Sequence, residues 1–205
     1  MTRIILARHG ETEWKRVEQF RGRADVPLNE TGLAQAKAMA QRVAAEWRPV
    51  AICSSPLARA VKTAEAVAWH FGLSVQVHPG LIDIHYGQWQ GLTPDEARAR
   101  WPEVIDAWYN APHTVSIPGG ETLDELRARA MRTVNELSAR HQGQTIVLVG
   151  HTAINRVILL GVIGLGNEHF WRLRQDTCAI NTFEVEGGFF TIGSLNETYH
   201  LRSKI

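Results

Sequence analysis

Two histidines and two arginines stand where the sequence changes abruptly from apolar to polar. The apolar run Arg3 to Ala7 stops at Arg8-His9-Gly10, and Leu148-Val149 stops at Gly150-His151. Between them, Ile52-Cys53 gives way to Ser54-Ser55 and then to Arg59. Each place reads as a buried strand, a polar residue, and then a loop or helix. In open α/β sheets, ligands bind beyond the carboxyl ends of strands, where loops from several strands meet. Arg59 is expected one turn into its helix, with its side chain leaning back toward the N-terminus and toward the same crevice. The unpaired N–H groups of that helix are expected to face the crevice too. Arg8, His9, Arg59 and His151 then share one pocket. Its guest should be an anion, and guanidinium forks suit phosphate oxygens.

Such a pocket supports phosphoryl transfer, which is mainly positioning plus stabilisation of charge on the equatorial oxygens. Arg8, Arg59 and His151 could supply that stabilisation without a divalent metal. A neutral imidazole is a competent nucleophile near pH 7, which makes His9 the candidate. The departing alkoxide needs a proton, and Asp83, in Leu81-Ile82-Asp83, is the candidate acid. Taken singly, each residue has a plainer reading. A histidine after a strand is usually a hydrogen-bonded loop residue, Arg59 a surface helix arginine, and Asp83 a turn or cap residue. The convergence of all of them favours chemistry.

The elements that must position these groups alternate between strands and helices. Helical spacing runs from Thr31 through Leu33, Ala36, Ala40, Val43 and Trp47, and again from Leu57 through Phe71. Ser55-Pro56 reads as a helix cap followed by proline at the first helical position. Val50 to Cys53, Val75 to Val77 and Thr145 to Val149 read as strands. A long helix follows Thr122, and another follows His151 through Leu160. Ala179 to Leu195 alternates around Gly187-Gly188 and reads as a hairpin on the sheet edge. The expected fold is α/β, with a mostly parallel central sheet, helices on both faces, and the site at the carboxyl ends of the strands. Residues 81 to 120 are less regular and are expected to form an insertion capping the site within one domain spanning 1–205.

Bulk properties exclude several classes of function. The 205 residues carry 22 basic and 21 acidic side chains, a net charge of +1, so no overall field favours nucleic acid or a membrane. The basic stretch containing Lys15, Arg16, Arg21 and Arg23 is largely balanced by Glu11, Glu13 and Glu18. Two cysteines are too few for a disulfide framework. The start lacks the long apolar core of a secretory signal, and Val157 to Leu165 is far too short for a membrane span. A cytoplasmic protein is expected. The 7 tryptophans read as core and cap packing, not as a base-stacking surface.

These motifs, in this order, resemble the histidine phosphatases, the phosphoglycerate mutase-like superfamily, over nearly the whole chain. Arg8-His9-Gly10-Glu11-Thr12-Glu13-Trp14 resembles the signature whose histidine becomes phosphorylated, and the stretch from Arg21 through Gly32 resembles the loop after it. Ser54-Ser55-Pro56-Leu57-Ala58-Arg59-Ala60 with Thr63-Ala64 resembles the second motif, whose arginine binds phosphate. Gly87-Gln88-Trp89-Gln90-Gly91 is similar to the segment after the proton donor, and Pro118-Gly119-Gly120-Glu121-Thr122 to the entry of a long helix. Val149-Gly150-His151 is similar to the last motif, whose histidine also contacts phosphate. The resemblance implies a phosphohistidine intermediate, a small phosphorylated metabolite as partner, and no cofactor or metal. It allows a homodimer.

Four positions depart from the family pattern. Asp83 stands where glutamate is usual, one methylene shorter. Lys15 replaces a common asparagine, Arg21 a frequent glutamine, and Thr152 a glycine, which narrows the pocket. The resemblance places Lys15, Arg21, His85 and Thr152 around the substrate. Mutases of the family carry an Arg-Arg pair in the insertion, and Trp108 to His113 has no arginine; the phosphatase branch is favoured. His85 resembles a histidine of metal-independent phosphoserine phosphatases and would pair with a substrate carboxylate. The specific expectation is therefore phosphoserine, with α-ribazole phosphate, sugar phosphates or a cofactor-dependent phosphoglycerate mutase reaction as alternatives. Two other classes remain: a metal-dependent hydrolase using His9, His151 and Asp83, whose wide spacing is unlike such sites, and a binding module that traps phosphate without turnover.

Overall fold

The computed structural model describes residues 1–13 and 19–202. Its centre is a sheet of six strands, β1 (Thr2–Arg8), β2 (Ala51–Ser54), β3 (Val75–Val77), β4 (Thr145–Gly150), β5 (Ile180–Glu186) and β6 (Phe189–Glu197). Their order across the sheet is β3-β2-β4-β1-β5-β6. The pairs from β3 to β1 are parallel, whereas β5 and β6 run antiparallel. The mostly parallel sheet expected from the sequence is what the chain forms, and the hairpin around Gly187-Gly188 is its edge.

The strands nearest the middle are apolar on both sides, and their alternation sorts side chains between two cores. Ile5, Ala7, Ile52, Val147 and Val149 pack under α1 (Glu30–Glu46) and α2 (Ala58–Trp69). Ile4, Leu6, Cys53, Ile146 and Leu148 face α5 (Leu123–Arg140) and α6 (Thr152–Ile163). Fully burying each Ile, Leu or Val contributes about 1.5–3 kcal/mol, so a one-residue slip in a strand would be strongly resisted. Between β3 and α5 lie two short helices, α3 (Pro94–Arg100) and α4 (Pro102–Asn110); α4 buries its own Trp108 against Trp89, at 5.8 Å between ring centres. No helix among the described residues is long and apolar enough to cross a membrane.

Helix starts follow local chemistry, with one exception. Asn29 caps α1 by accepting the Gly32 N–H at 2.8 Å, and Thr122 and Glu125 form a reciprocal capping box at α5. The expected cap at Ser55 is not formed. The Ser55 N–H still bonds the Val149 carbonyl at the sheet end, so α2 begins only at Ala58 and Arg59 is its second residue. Its first N–H groups do not face the crevice unpaired either. The Asp25 carboxylate takes the Ala58 N–H at 2.8 Å, a cap supplied by a distant loop.

Candidate active site

The sheet register assembles the floor of the site. Arg8 pairs with Gly150 across β1 and β4, and Ser54 with Val149 across β4 and β2. The next residues, His9, Ser55 and His151, therefore leave the sheet side by side. The His9 N–H bonds the Gly150 carbonyl at 3.1 Å, and the two imidazoles lie 5.0 Å apart, centre to centre. Gly10 is needed at the turn that follows. A methyl group there would come within 2.5 Å of the Gly32 carbonyl, so the loop could not lie against the start of α1.

His9 is buried, and its tautomer is set by its neighbours. Nδ1 lies 2.6 Å from the Gly10 carbonyl, which can only accept, so Nδ1 carries the proton. That leaves Nε2 unprotonated, and its lone pair accepts the Arg59 Nε–H at 3.3 Å. Burial first, and then His151, Arg8 and Arg59, hold His9 well below its ordinary value of 6.5, so it stays neutral. Arg59 is itself fixed by donating to the carbonyls of Ala24 at 2.6 Å and Gly22 at 2.8 Å. His151 is fully buried; its Nε2 is 2.7 Å from the Ser55 hydroxyl, and its Nδ1 has no partner among the described residues. Burial, Arg59 and Arg8 keep it neutral as well.

The cation cluster has unspent capacity. Arg8 donates through Nη1 to the Gln175 carbonyl at 2.6 Å, while its buried Nε has no partner among the described residues. Burial and the neighbouring Arg21 push the Arg8 guanidinium down to about 10, and burial lowers Arg59 and Arg156 too. Packed cations that disfavour their own charge are a site prepared for an anion. They line a cleft of about 390 Å³, a size that suits a small metabolite.

Asp83 enters the same cleft from the segment after β3. It is 7% exposed, its Oδ1 has no partner among the described residues, and burial raises its carboxyl above the ordinary 3.8 despite the pull of Arg59, a hydrogen bond from the Ile84 main chain, and the charges of Arg129 and Arg8. A carboxyl that resists ionisation beside a cation cluster is suited to deliver a proton. Among the described residues, no three His, Cys, Asp or Glu side chains converge so as to hold a metal ion.

Of the other expected residues, Arg21 and Thr152 line the cleft, and Lys15 lies outside the described residues. His85, expected at a substrate carboxylate, does not line it. Its main chain is instead tied to Glu121 through both N–H and carbonyl, and the cleft position in that segment belongs to Tyr86. Sequence reasoning passed over Arg156, Arg174 and Asp176, all of which line the cleft. Arg156 had a signal, since it follows Thr152 by four residues on the helix behind His151 and so shares its face. Its guanidinium rests over the rings of Phe170 and Trp171 at 5.0 and 4.9 Å. Arg174 and Asp176 had none, because the irregular stretch before β5 is placed only by tertiary contacts.

Comparison with known proteins agrees with this geometry. The histidine phosphatase superfamily (branch 1) matches residues 4–198, so the chain belongs to that family and is a phosphatase of the histidine type. It is 35% identical to phosphoserine phosphatase 1 of Hydrogenobacter thermophilus over 98% of this chain and 95% of that protein. It is 38% identical to the metal-independent phosphoserine phosphatase of Arabidopsis thaliana over 99% of this chain and 84% of that one. Among solved structures, YhfR of Bacillus stearothermophilus superposes with a TM-score of 0.93 at 30% identity, covering 98% of this chain and all of that one.

Proposed function

We propose that this phosphatase works without a metal, through a phosphohistidine on His9, and that its substrate is phosphoserine. The observation that carries the mechanism is the His9 tautomer: Nδ1–H is tied to the Gly10 carbonyl, so Nε2 is the unprotonated nitrogen and faces the guanidinium group of Arg59, whose Nε–H it accepts until phosphate takes that donor. In the first step Nε2 attacks phosphorus, the P–O ester bond breaks, and the departing alkoxide takes the Asp83 proton. In the second step a water attacks the phosphohistidine, the Asp83 carboxylate takes its proton, and the N–P bond breaks to release phosphate. Arg8 and Arg59 hold the equatorial oxygens through both steps; His151, buried directly behind the cleft lining with its Nδ1 unpartnered among the described residues, supports them from beside His9.

Hydrolysis is favoured over mutase transfer because the wall at Trp108 and Tyr109 is aromatic and the stretch from Trp108 to His113 carries no arginine pair. The choice of phosphoserine is supported by the names of the two curated relatives. It is also supported by two further arginines lining the same cleft as candidates to meet a carboxylate, Arg156 and Arg174, the latter already paired with Asp176 at 2.8 Å. His85 does not enter this reading.

The test is turnover of phosphoserine, 3-phosphoglycerate and α-ribazole phosphate in EDTA by wild type and His9→Ala. Phosphoserine should be the best substrate, and His9→Ala should lose phosphorylation and turnover together. Full activity in His9→Ala would refute the mechanism, and a clear preference for another ester would refute the substrate.

A further inference from the structure

Glu121, in Pro118-Gly119-Gly120-Glu121, takes no part in the chemistry above, yet it anchors a charged network behind the acid. Its Oε1 accepts from Arg129 Nε at 2.9 Å, and its Oε2 accepts from Arg129 Nη2 at 2.9 Å, the two-pronged geometry of a guanidinium–carboxylate fork. The same Oε2 takes the His85 N–H at 3.2 Å and lies 3.4 Å from Arg23 Nη2. Arg129 spends its remaining donors on main-chain carbonyls: Gly80 at 3.0 Å, Ile82 at 2.7 Å and Asp83 at 3.1 Å. Arg23 Nε reaches the Asp83 carbonyl as well, at 3.2 Å. The main chain on both sides of Asp83 is thereby fixed by side chains carried on α5, its lead-in and the loop at Arg23. Gly120 lets that lead-in approach, since a Cβ there would lie 2.6 Å from the His85 carbonyl.

Neither Arg129 nor Glu121 lines the cleft, so neither touches a substrate held there. What they hold is the backbone of a residue whose Oδ1 has no partner among the described residues. An aspartate carboxyl is two torsions from its main chain, so its position follows the backbone closely. We propose that the Arg129–Glu121 pair is a positioning clamp for Asp83, fixing its backbone so that the short carboxyl meets the leaving oxygen. This rests on Asp83 being the acid, and the experiment separates the two ideas.

Arg129→Met, Arg129→Lys, Asp83→Asn and the double variant Arg129→Met/Asp83→Asn are compared on glycerol 2-phosphate and p-nitrophenyl phosphate. The first ester needs its leaving oxygen protonated; the second leaves as a stable phenolate. Arg129→Met should lose about 10- to 50-fold in kcat on glycerol 2-phosphate and about 3-fold or less on p-nitrophenyl phosphate. Arg129→Lys keeps the charge but not the fork, and should follow Met. Adding Arg129→Met to Asp83→Asn should cause no further loss, whereas a purely structural pair would multiply its effect into both substrates. Equal losses on the two esters, no loss, a full return of activity with lysine, or multiplication in the double variant each overturns the clamp. If Arg129→Met does not fold, Glu121→Gln takes the same comparison, with the same readings. Should Asp83→Asn itself fail to discriminate between the esters, the acid assignment falls, and the clamp falls with it. If Asp83→Asn discriminates and Arg129→Met does not, only the clamp falls.

Discussion

The floor of the cleft and the wall that carries Asp83 are built in different ways. His9 and His151 each stand one residue beyond a strand end, and a parallel register of four consecutive strands decides where they meet. Asp83 stands beyond the short edge strand β3, in irregular chain, and its backbone is held by Arg23 and Arg129 from elsewhere. A floor made by sheet register has its main chain fixed by strand hydrogen bonds before any side chain contributes. A wall made of loop needs side-chain clamps to become equally definite. The proposed nucleophile therefore sits on the stiff part, and the proposed proton donor on the part that individual side chains adjust.

Four measurements would break or sharpen that contrast. The largest effect belongs to the helix residue that faces the floor: Arg59→Met removes the donor to His9 Nε2 and the anchors on Ala24 and Gly22. It should lower kcat/KM by about 10³ on every phosphomonoester, whatever the leaving group. A loss limited to poor leaving groups would show that the floor and wall are not separable.

Next comes the wall itself. Asp83→Asn should slow an alkyl phosphate by about 100-fold and p-nitrophenyl phosphate by far less. It should also change the pH profile. The raised Asp83 carboxyl must be protonated to act, so alkyl-ester kcat/KM in wild type falls as pH rises through that value. His9, held well below 6.5, keeps its lone pair as pH falls, so the acid limb lies well below 6.5. Asp83→Asn should erase the alkaline limb and leave the acid one; an unchanged alkaline limb would exclude Asp83 as the acid.

A smaller effect is expected one step behind Arg8. The buried Asn181 exchanges two hydrogen bonds with the Gln175 amide, at 3.0 and 2.9 Å, and donates to the Leu6 carbonyl. The Gln175 carbonyl in turn holds Arg8. Asn181→Leu leaves these groups unpaired, so it should cost about 1–3 kcal/mol in denaturant unfolding and raise KM a few-fold. Unaltered KM would show that Arg8 is positioned by its strand alone.

The smallest effect is a pH dependence of stability. The unfolded chain protonates His9 and His151 near 6.5, but the folded pair, with lowered values, does not. Folding is therefore most favoured above that value, and stability drains away as pH falls below about 6.5 toward the folded values. The melting temperature should decline over that window, and less steeply in His151→Gln. A flat response would mean that these imidazoles are not held neutral.

Much of the floor was legible in the sequence, because an apolar run that ends in a polar residue marks a buried strand and its exposed end locally. The helix start at Ser55 was misread for an equally physical reason: the sheet bond to Val149 holds Ser55, and its hydroxyl serves Leu57 and His151 instead of a helix end. His85 was read from resemblance, and its backbone pairing with Glu121, 36 positions away, leaves no local trace. Arg174 and Asp176 were invisible, since nothing near them in sequence marks the stretch before β5.

The sequence alone determined which cationic and imidazole side chains are present, and which strand ends would carry His9 and His151. Periodicity and polar punctuation act over a few residues, so both could be read from their immediate neighbourhoods. Only the tertiary structure decided how those ends align, which imidazole nitrogen is unprotonated, and how Asp83 is held. Those outcomes depend on strand register, on carbonyls presented by distant turns, and on the desolvation of charges that no single segment contains.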